Sequence, residues 1–291
     1  SISQQIADNC DADGIPDDFT SNVSVTVSSG GGLGLLEPET SEARTIGIVY
    51  TPSFINLNVA LDYTEIEVLD QVAELSAGQI VFGCYGSENF PNDSLCDLFS
   101  RGSVTNPFQI DTVRSSFLNI NSQTNRAIDL TYRYDHEFSF GDFSTQGQFT
   151  WQLEDTVSLF EGEIFDTNGD PGEPDFVGNI DFRFDRGDFT YFWGVDFIGK
   201  QSEAEDRRDG TATQIYKIHA EFTAYHNASI RYSGDNWALT GGLSNVFDET
   251  PPQMTDGGVV GNAYSTLGNA FLSSQYDYYG RRAFVRLSRS W

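Results

Sequence analysis

Positive charge is scarce in this 291-residue chain. Lys and Arg together number 16 against 43 Asp and Glu, a formal net charge of −27. Such a chain repels phosphate backbones, which argues against nucleic acid as a partner. The acidity suits solubility in a salty medium, and it also attracts divalent cations such as those that bridge lipopolysaccharide. Long apolar runs are missing too: nowhere do about 18 apolar residues follow one another, so no transmembrane helix is predicted. Ser1 to Asp13 has neither the basic nor the apolar region of a signal peptide. Enzyme signatures are absent as well. There is no nucleophile elbow, no His-x-x-x-His and no phosphate loop, so no enzyme is expected. His136, His219 and His226 are scattered without metal-ligand spacing, and structural roles are predicted for them.

What is present is aromatic. Apolar residues reach only 38%, yet aromatics alone reach 14%, so the apolar residues are placed selectively. Their placement has a period of two. From Tyr216 to Tyr232 the even positions include Ile218, Ala220, Phe222, Ala224, Ala228 and Ile230, and the odd ones Lys217, Glu221, Thr223, Asn227 and Arg231. Alternate strand side chains point to opposite faces, so this is read as one long strand, apolar on one side. Arg126–Phe140, Gly147–Leu159, Ile180–Asp185 and Phe189–Phe197 repeat the pattern. The polar sets contain Asp129, Arg133, Asp135, Arg183 and Arg231. A face with that many charges cannot be a dry core. It can line a water-filled lumen while the apolar face meets lipid.

The predicted fold is therefore an all-β, transmembrane antiparallel β-barrel. About nine strands are expected, at 39–51, 57–69, 126–139, 143–160, 176–186, 188–200, 214–233, 236–247 and 278–291. Tight turns at Phe140-Gly141-Asp142, Arg186-Gly187-Asp188 and Gly234-Asp235-Asn236 alternate with long polar segments. The latter are Gly78–Asn125, Glu161–Pro174, Ser202–Thr213 and Glu249–Gln275. Short periplasmic turns and long outer loops describe an outer-membrane barrel. Such barrels have even strand numbers, so an odd count predicts that the chain begins within the barrel, on its outer side.

Cys84 and Cys96 bracket a loop-like segment, and either a disulfide or two free thiols fits that spacing. Cys10 is left over, with a partner upstream as one reading. Asp166, Asn168, Asp170 and Glu173, with Gly169 between, resemble the start of a Ca2+-binding loop, although the full spacing is missing. A solvated acidic loop is the simpler reading. Asp8, Asp11, Asp13, Asp17 and Asp18 form a similar cluster near Cys10.

Several ordered motifs resemble TonB-dependent outer-membrane receptors. They are Leu36-Glu-Pro38-Glu39-Thr40-Ser41, Asp62-Tyr63-x-x-Ile66, Asn245-x-Phe247-Asp248-x-x-Pro251-Pro252, and Tyr276-Asp277-x-x-Gly280-Arg281-Arg282 with a final strand closing on Trp291. Cys84-Tyr85 and Cys96 through Arg101 resemble the loop cysteines of one branch of that family. The resemblance implies a barrel of roughly 22 strands, of which residues 1–291 would supply the C-terminal 9–10. The plug domain and the first strands would lie outside this sequence. It also implies TonB-energised import of a scarce nutrient: a siderophore, cobalamin, a glycan or a peptide. Expected partners are outer-membrane lipid and lipopolysaccharide, the rest of the receptor with its plug, TonB, and the barrel-assembly machinery reading Trp291. Arg289 departs from the pattern, standing where an aromatic is usual. A passive porin and an adhesive surface protein, such as a phage receptor, are the competing readings. A soluble secreted β-protein would strand the aromatic rows in water.

Overall fold

The computed structural model describes residues 2–16, 18–20, 25–30, 36–102, 107–120, 122–159, 164–202, 219–254, 269–270 and 275–290. It divides into two compact units, Ser1–Glu42, Glu67–Gln123 and Ser158–Ile164 in the first, Ala43–Ile66, Thr124–Val157 and Phe165–Trp291 in the second.

Nine long strands make the principal sheet. They are β1 (Thr40–Tyr50), β2 (Asn56–Leu69), β3 (Ser122–Phe138), β4 (Gly141–Ser158), β5 (Phe176–Arg186), β6 (Phe189–Ile198), β7 (Thr223–Ser233), β8 (Trp237–Ser244) and β9 (Arg282–Arg289). Each is hydrogen-bonded to its neighbour in chain order, so the sheet is a meander from β1 to β9. The two-residue strand Phe165–Asp166 adds to β4 outside that path. Every pair from β4/β5 to β8/β9 is antiparallel. Short connections at one end alternate with long ones at the other, as the turn signals predict. Gly187 supplies the left-handed conformation (φ +58°) that the β5/β6 turn needs.

Register sorts the side chains by face. Phe143, Thr145, Gly147 and Phe149 of β4 lie level with Phe184, Phe182, Ile180 and Gly178 of β5. Those in turn lie level with Tyr191, Trp193, Val195 and Phe197 of β6, then Ile230, Ala228, His226 and Ala224 of β7. Aromatic rings gather at both ends of this face. Toward the short turns, Phe138, Phe140, Phe184, Tyr191, Phe189, Tyr232 and Trp237 follow one another with centroids 5.0 to 6.3 Å apart. Toward the long loops, Trp151, Phe176, Phe149, Phe197 and Phe222 do the same at 5.3 to 6.3 Å. From Phe176 to Phe184 the strand advances about 26 Å at roughly 3.3 Å per residue. A tilt near 40° leaves about 20 Å along the normal, comparable with the apolar band of an outer-membrane barrel. Val285 and Leu287 on the same face are 77% and 70% exposed. In water such a face would be a liability, whereas in hydrocarbon it is at home.

Glycine has a packing role here. A β-carbon at Gly178 would lie 2.5 Å from the Phe149 ring and 3.0 Å from the Gln148 carbonyl oxygen. The missing side chain lets the ring lie across the neighbouring strand. Tyr132 covers Gly147 in the same way.

Two expectations need correction, and a third finding has no counterpart in the sequence patterns. The strand predicted over 214–233 is interrupted: β7 starts at Thr223, His219–Ala220 pairs separately with Gln201–Ser202, and 214–218 lies outside the described residues. Past Ile198 the Gly199 amide continues the β5/β6 ladder by donating to the Phe176 carbonyl (2.7 Å), while the ladder to β7 lapses and then resumes in the same register. Alternation along one strand does not report where its neighbour leaves.

The second correction concerns Gly78–Asn125, expected as loop. It holds helix α2 (Ala77–Gly86), a 3-10 turn (Ser94–Leu98), and strands Phe99–Arg101 and Ile110–Asn119, while β3 already begins at Ser122. Ser76 opens α2 with a capping box, accepting from the Gln79 amide while the Gln79 side chain accepts from the Ser76 amide. Ile80, Cys84, Leu95 and Val113 give this first unit a small core of its own. Third, the N-terminal residues form a helix, Ile2–Ala12, labelled α1. Asn9 donates to the carbonyls of Tyr85 and Ser87 just past it in space (2.8 and 3.0 Å).

Cys84 and Cys96 are disulfide-bonded, tying α2 to the 3-10 turn, and Cys10 is a free thiol. Peptide mapping with and without reductant should recover Cys84 and Cys96 as one bridged pair. Cys84→Ser should lower local stability by about 3 kcal/mol, the loop-closure value for a bridge of this span. Two free thiols in native protein would contradict the structure. A second test concerns the faces. Cysteines at Phe149 and Ile230 should react with a lipid-phase quencher, and those at Gln152 and Arg231 with a membrane-impermeant thiol reagent. Equal labelling of the two sets would overturn the assignment of faces.

Candidate functional site

The opposite face of the sheet is polar, and all five residues expected there are present on it. Arg133 grips Asp135 through two hydrogen bonds (2.9 and 3.0 Å), two residues along β3. Arg183 grips Asp185 in the same way on β5 (2.6 and 2.9 Å), and Thr190 donates to the same carboxylate (2.5 Å). Asp129 accepts from Thr150 (2.5 Å), Asp181 from Gln146 (3.3 Å), and Asp196 from Asn227 (3.1 Å). Arg133 and Arg183 are more than half exposed, so each ion pair contributes little to stability, of order 0–1 kcal/mol. Their effect is on the surface presented: neutralised pairs and hydrogen-bonding groups around a cavity of about 620 Å³ lined by Arg133, Asp135, Gln146, Asp181, Arg183 and Asp185.

At the long-loop end, sequence reasoning missed the residue that joins the connections. Gln201, only 1% exposed, donates through Nε2 to the Tyr276 hydroxyl (2.8 Å) and accepts at Oε1 from the Gly172 amide (2.7 Å). Gly172 follows β4, Gln201 follows β6 and Tyr276 precedes β9, so one side chain links three connections. The Ser202 amide, donating to the Gly169 carbonyl (2.8 Å), adds a third bond. Burial pushes the Tyr276 phenol up to about 12. Nothing in the sequence marks Gln201, one amide in a polar segment.

The C-terminal motif turns out to be one folded knot. Asn245, with φ +51°, bonds through its side chain to both the amide and the carbonyl of Glu249 (2.8 Å each). Asp248, with φ +59°, accepts from the Arg281 amide (2.8 Å). Gly280 is left-handed (φ +67°), and a β-carbon there would lie 2.9 Å from the Asp248 carboxylate, so both backbone and space favour glycine. Arg282 pairs with Asp277 (3.3 Å) and sits over the Tyr279 ring. The Asn-x-Phe-Asp and Gly-Arg-Arg halves of the motif therefore hold each other in register.

The acidic loop at 166–173 is organised by its backbone. Asp166 accepts from the Asn168 amide (3.0 Å), and the Gly169 and Glu173 amides donate to Glu173 and Asp170 carbonyls (2.8 Å each). Asn168 Nδ2 donates to the Gln152 carbonyl (3.1 Å). Among the described residues no group of three His, Cys, Asp or Glu side chains gathers as a metal-holding set. Asp166, Asn168, Asp170 and Glu173 share this backbone-ordered loop. Near Cys10, Asp13 is committed elsewhere, accepting from the Tyr85 hydroxyl (2.5 Å) and pairing with Arg101 (3.5 Å). Burial, and then that bond to Asp13, push the Tyr85 phenol up to about 12. Trp291 and Ile218 lie outside the described residues.

Sheet, faces and loop end together define an outer-membrane barrel wall, and comparison with known proteins agrees. The family model for "TonB dependent receptor-like, beta-barrel" matches residues 12–246. The chain belongs to that family. Among solved structures, a mutant ferric enterobactin receptor from Pseudomonas aeruginosa matches with a TM-score of 0.54 at 16% identity, over 88% of this chain and 32% of that one. The siderophore receptor PirA from Acinetobacter baumannii matches with the same four values. The FrpB iron transporter from Neisseria meningitidis gives 0.52 and 10%, over 90% and 32%. This likeness is one of fold, and the chain spans about a third of the length of these receptors. None of the curated proteins compared matches it. Family membership puts the chain in the bacterial outer membrane, among receptors and transporters rather than enzymes. The apolar face is then the lipid face and the polar face the lumen face.

Replacing Gln201 by Leu should leave the Tyr276 hydroxyl and the Gly172 amide without their partner, costing about 1–3 kcal/mol of local stability. Hydrogen exchange around 169–172 and 275–277 should accelerate, while exchange within β4 to β7 stays unchanged. If those connections exchange at the wild-type rate, Gln201 does not link them.

Proposed function

We propose that this chain is the C-terminal portion of the wall of a TonB-dependent uptake receptor. The plug domain and the remaining strands belong to the same receptor outside residues 1–291. The observation that carries the reading is the combination of a lumen face rich in charged and amide groups with two unfinished edges. Among the described residues β1 and β9 each have only one sheet neighbour, and both are exposed along their whole length. An unpaired backbone group in hydrocarbon costs several kcal/mol, so a long open edge in lipid is prohibitive. Completing strands are required, and a family of large plugged barrels supplies them. Trp291 is read as the terminal aromatic recognised by the assembly machinery.

The receptor imports a scarce nutrient captured by the long loops and the lumen: a siderophore, cobalamin, a glycan or a peptide. Ferric siderophores are the class to test first, since the structural neighbours are siderophore receptors and an iron transporter by name. Strains with and without the complete gene should be compared during growth limited for iron, cobalamin, a glycan or a peptide, each with TonB intact and deleted. Uptake of one class should require both the gene and TonB. Uptake that needs the gene but survives loss of TonB would indicate a passive pore and would sink the reading.

A further inference from the structure

The short-turn end of the lipid face carries a cation. Phe182, Phe184 and Arg186 follow one another on the lipid-facing side of β5, and Arg186 is level with Phe189 of β6. Arg186 is exposed and makes no ion pair or side-chain hydrogen bond among the described residues. β5 is an interior strand with β4 and β6 on its two sides, so this lack does not come from a missing neighbour. The adjacent acid, Asp185, faces the lumen and is held by Arg183. Bases are outnumbered 16 to 43 in this chain, so a cation exposed here is not general surface charge.

Depth follows from the aromatic belt. Phe184, Phe189, Tyr232 and Trp237 step toward the short turns as the belt crosses from β5 to β8. The membrane plane therefore runs diagonally over the strands, as their tilt requires. Arg186 lies just past the belt on the periplasmic side, at the depth of the inner-leaflet headgroups. The normal drawn from it climbs across Tyr191 of β6 toward Ala228 of β7. There the face opens into an apolar groove of about 550 Å³, bordered by Phe182, Tyr191, Trp193 and Ile230. Ala228 and Gly241 also line it, and a β-carbon at Gly241 would meet nothing within 4 Å. A guanidinium takes a phosphate through paired N–H bonds, and its charge favours a lipid of net negative charge over a zwitterion.

We propose that Arg186 and the groove over Ala228 form a site for an anionic phospholipid of the inner leaflet. The phosphate sits on the guanidinium and one acyl chain lies along the groove. The site belongs to the barrel wall and is independent of the nutrient imported. Its test uses the full-length receptor, given equal amounts of phosphatidylglycerol and phosphatidylcholine with the same acyl chains. Native mass spectrometry counts the lipid retained, and heat-modifiability on a gel confirms that each variant has assembled. Wild type should keep phosphatidylglycerol in preference. R186Q should lower that ratio about fivefold, whereas R231Q, which removes the same charge from the lumen face, should leave it unchanged. A228F should reduce retention of both lipids, because the new ring fills the groove. If R186Q fails to assemble, salt carries the comparison: at about 1 M the wild-type preference should vanish. A ratio unchanged by R186Q, or by salt, overturns the site. An equal loss in R231Q overturns it too, since net charge alone would then account for the preference. Retention untouched by A228F overturns it as well.

Discussion

A backbone amide or carbonyl that enters hydrocarbon must find its partner inside the protein, and this one constraint organises the chain. It explains strands of 8 to 18 residues, each bonded to its neighbour in sequence. It explains why the tight turns all fall at one end. It also gives the two edges their meaning: among the described residues β1 and β9 have one sheet neighbour each.

Once the ladder is in place, its period of two divides the chemistry. One face carries aromatic belts about 20 Å apart along the normal and no ion pair between them on β4 to β7, as a lipid-facing surface requires. The other carries Asp, Arg, Gln and Thr side chains whose pairs are mostly closed within a strand or across one register step. Closing the pairs locally matches Arg133 and Arg183 to acids, while Asp129, Glu137, Asp142 and Asp181 leave the polar face acidic over β3 to β5.

The long connections follow a different logic. Outside the membrane water can satisfy the backbone, so order there comes from particular side chains. Gln201 is buried because three connections meet on it. The Asn245–Glu249 and Asp248–Arg281 bonds turn two short sequence patterns into one corner leading into the final strand.

Most of the wall was legible in the sequence. Alternation at Gly147–Leu159, Ile180–Asp185 and Phe189–Phe197 set the faces, because period two in a strand needs no knowledge of neighbours. The tight-turn glycines set the short end for the same local reason. Alternation failed where the outcome depended on a second strand: β6 ends at Ile198, and the strand expected over 214–233 is interrupted between Ala220 and Thr223. It failed again over 78–125, where Ile80, Leu95 and Val113 are too sparse to show a period yet meet in a core. The burial of Gln201 was beyond any local pattern. Whether a guanidinium is paired or an amide buried is decided by what register and loop closure bring beside it, and only the tertiary structure holds that information.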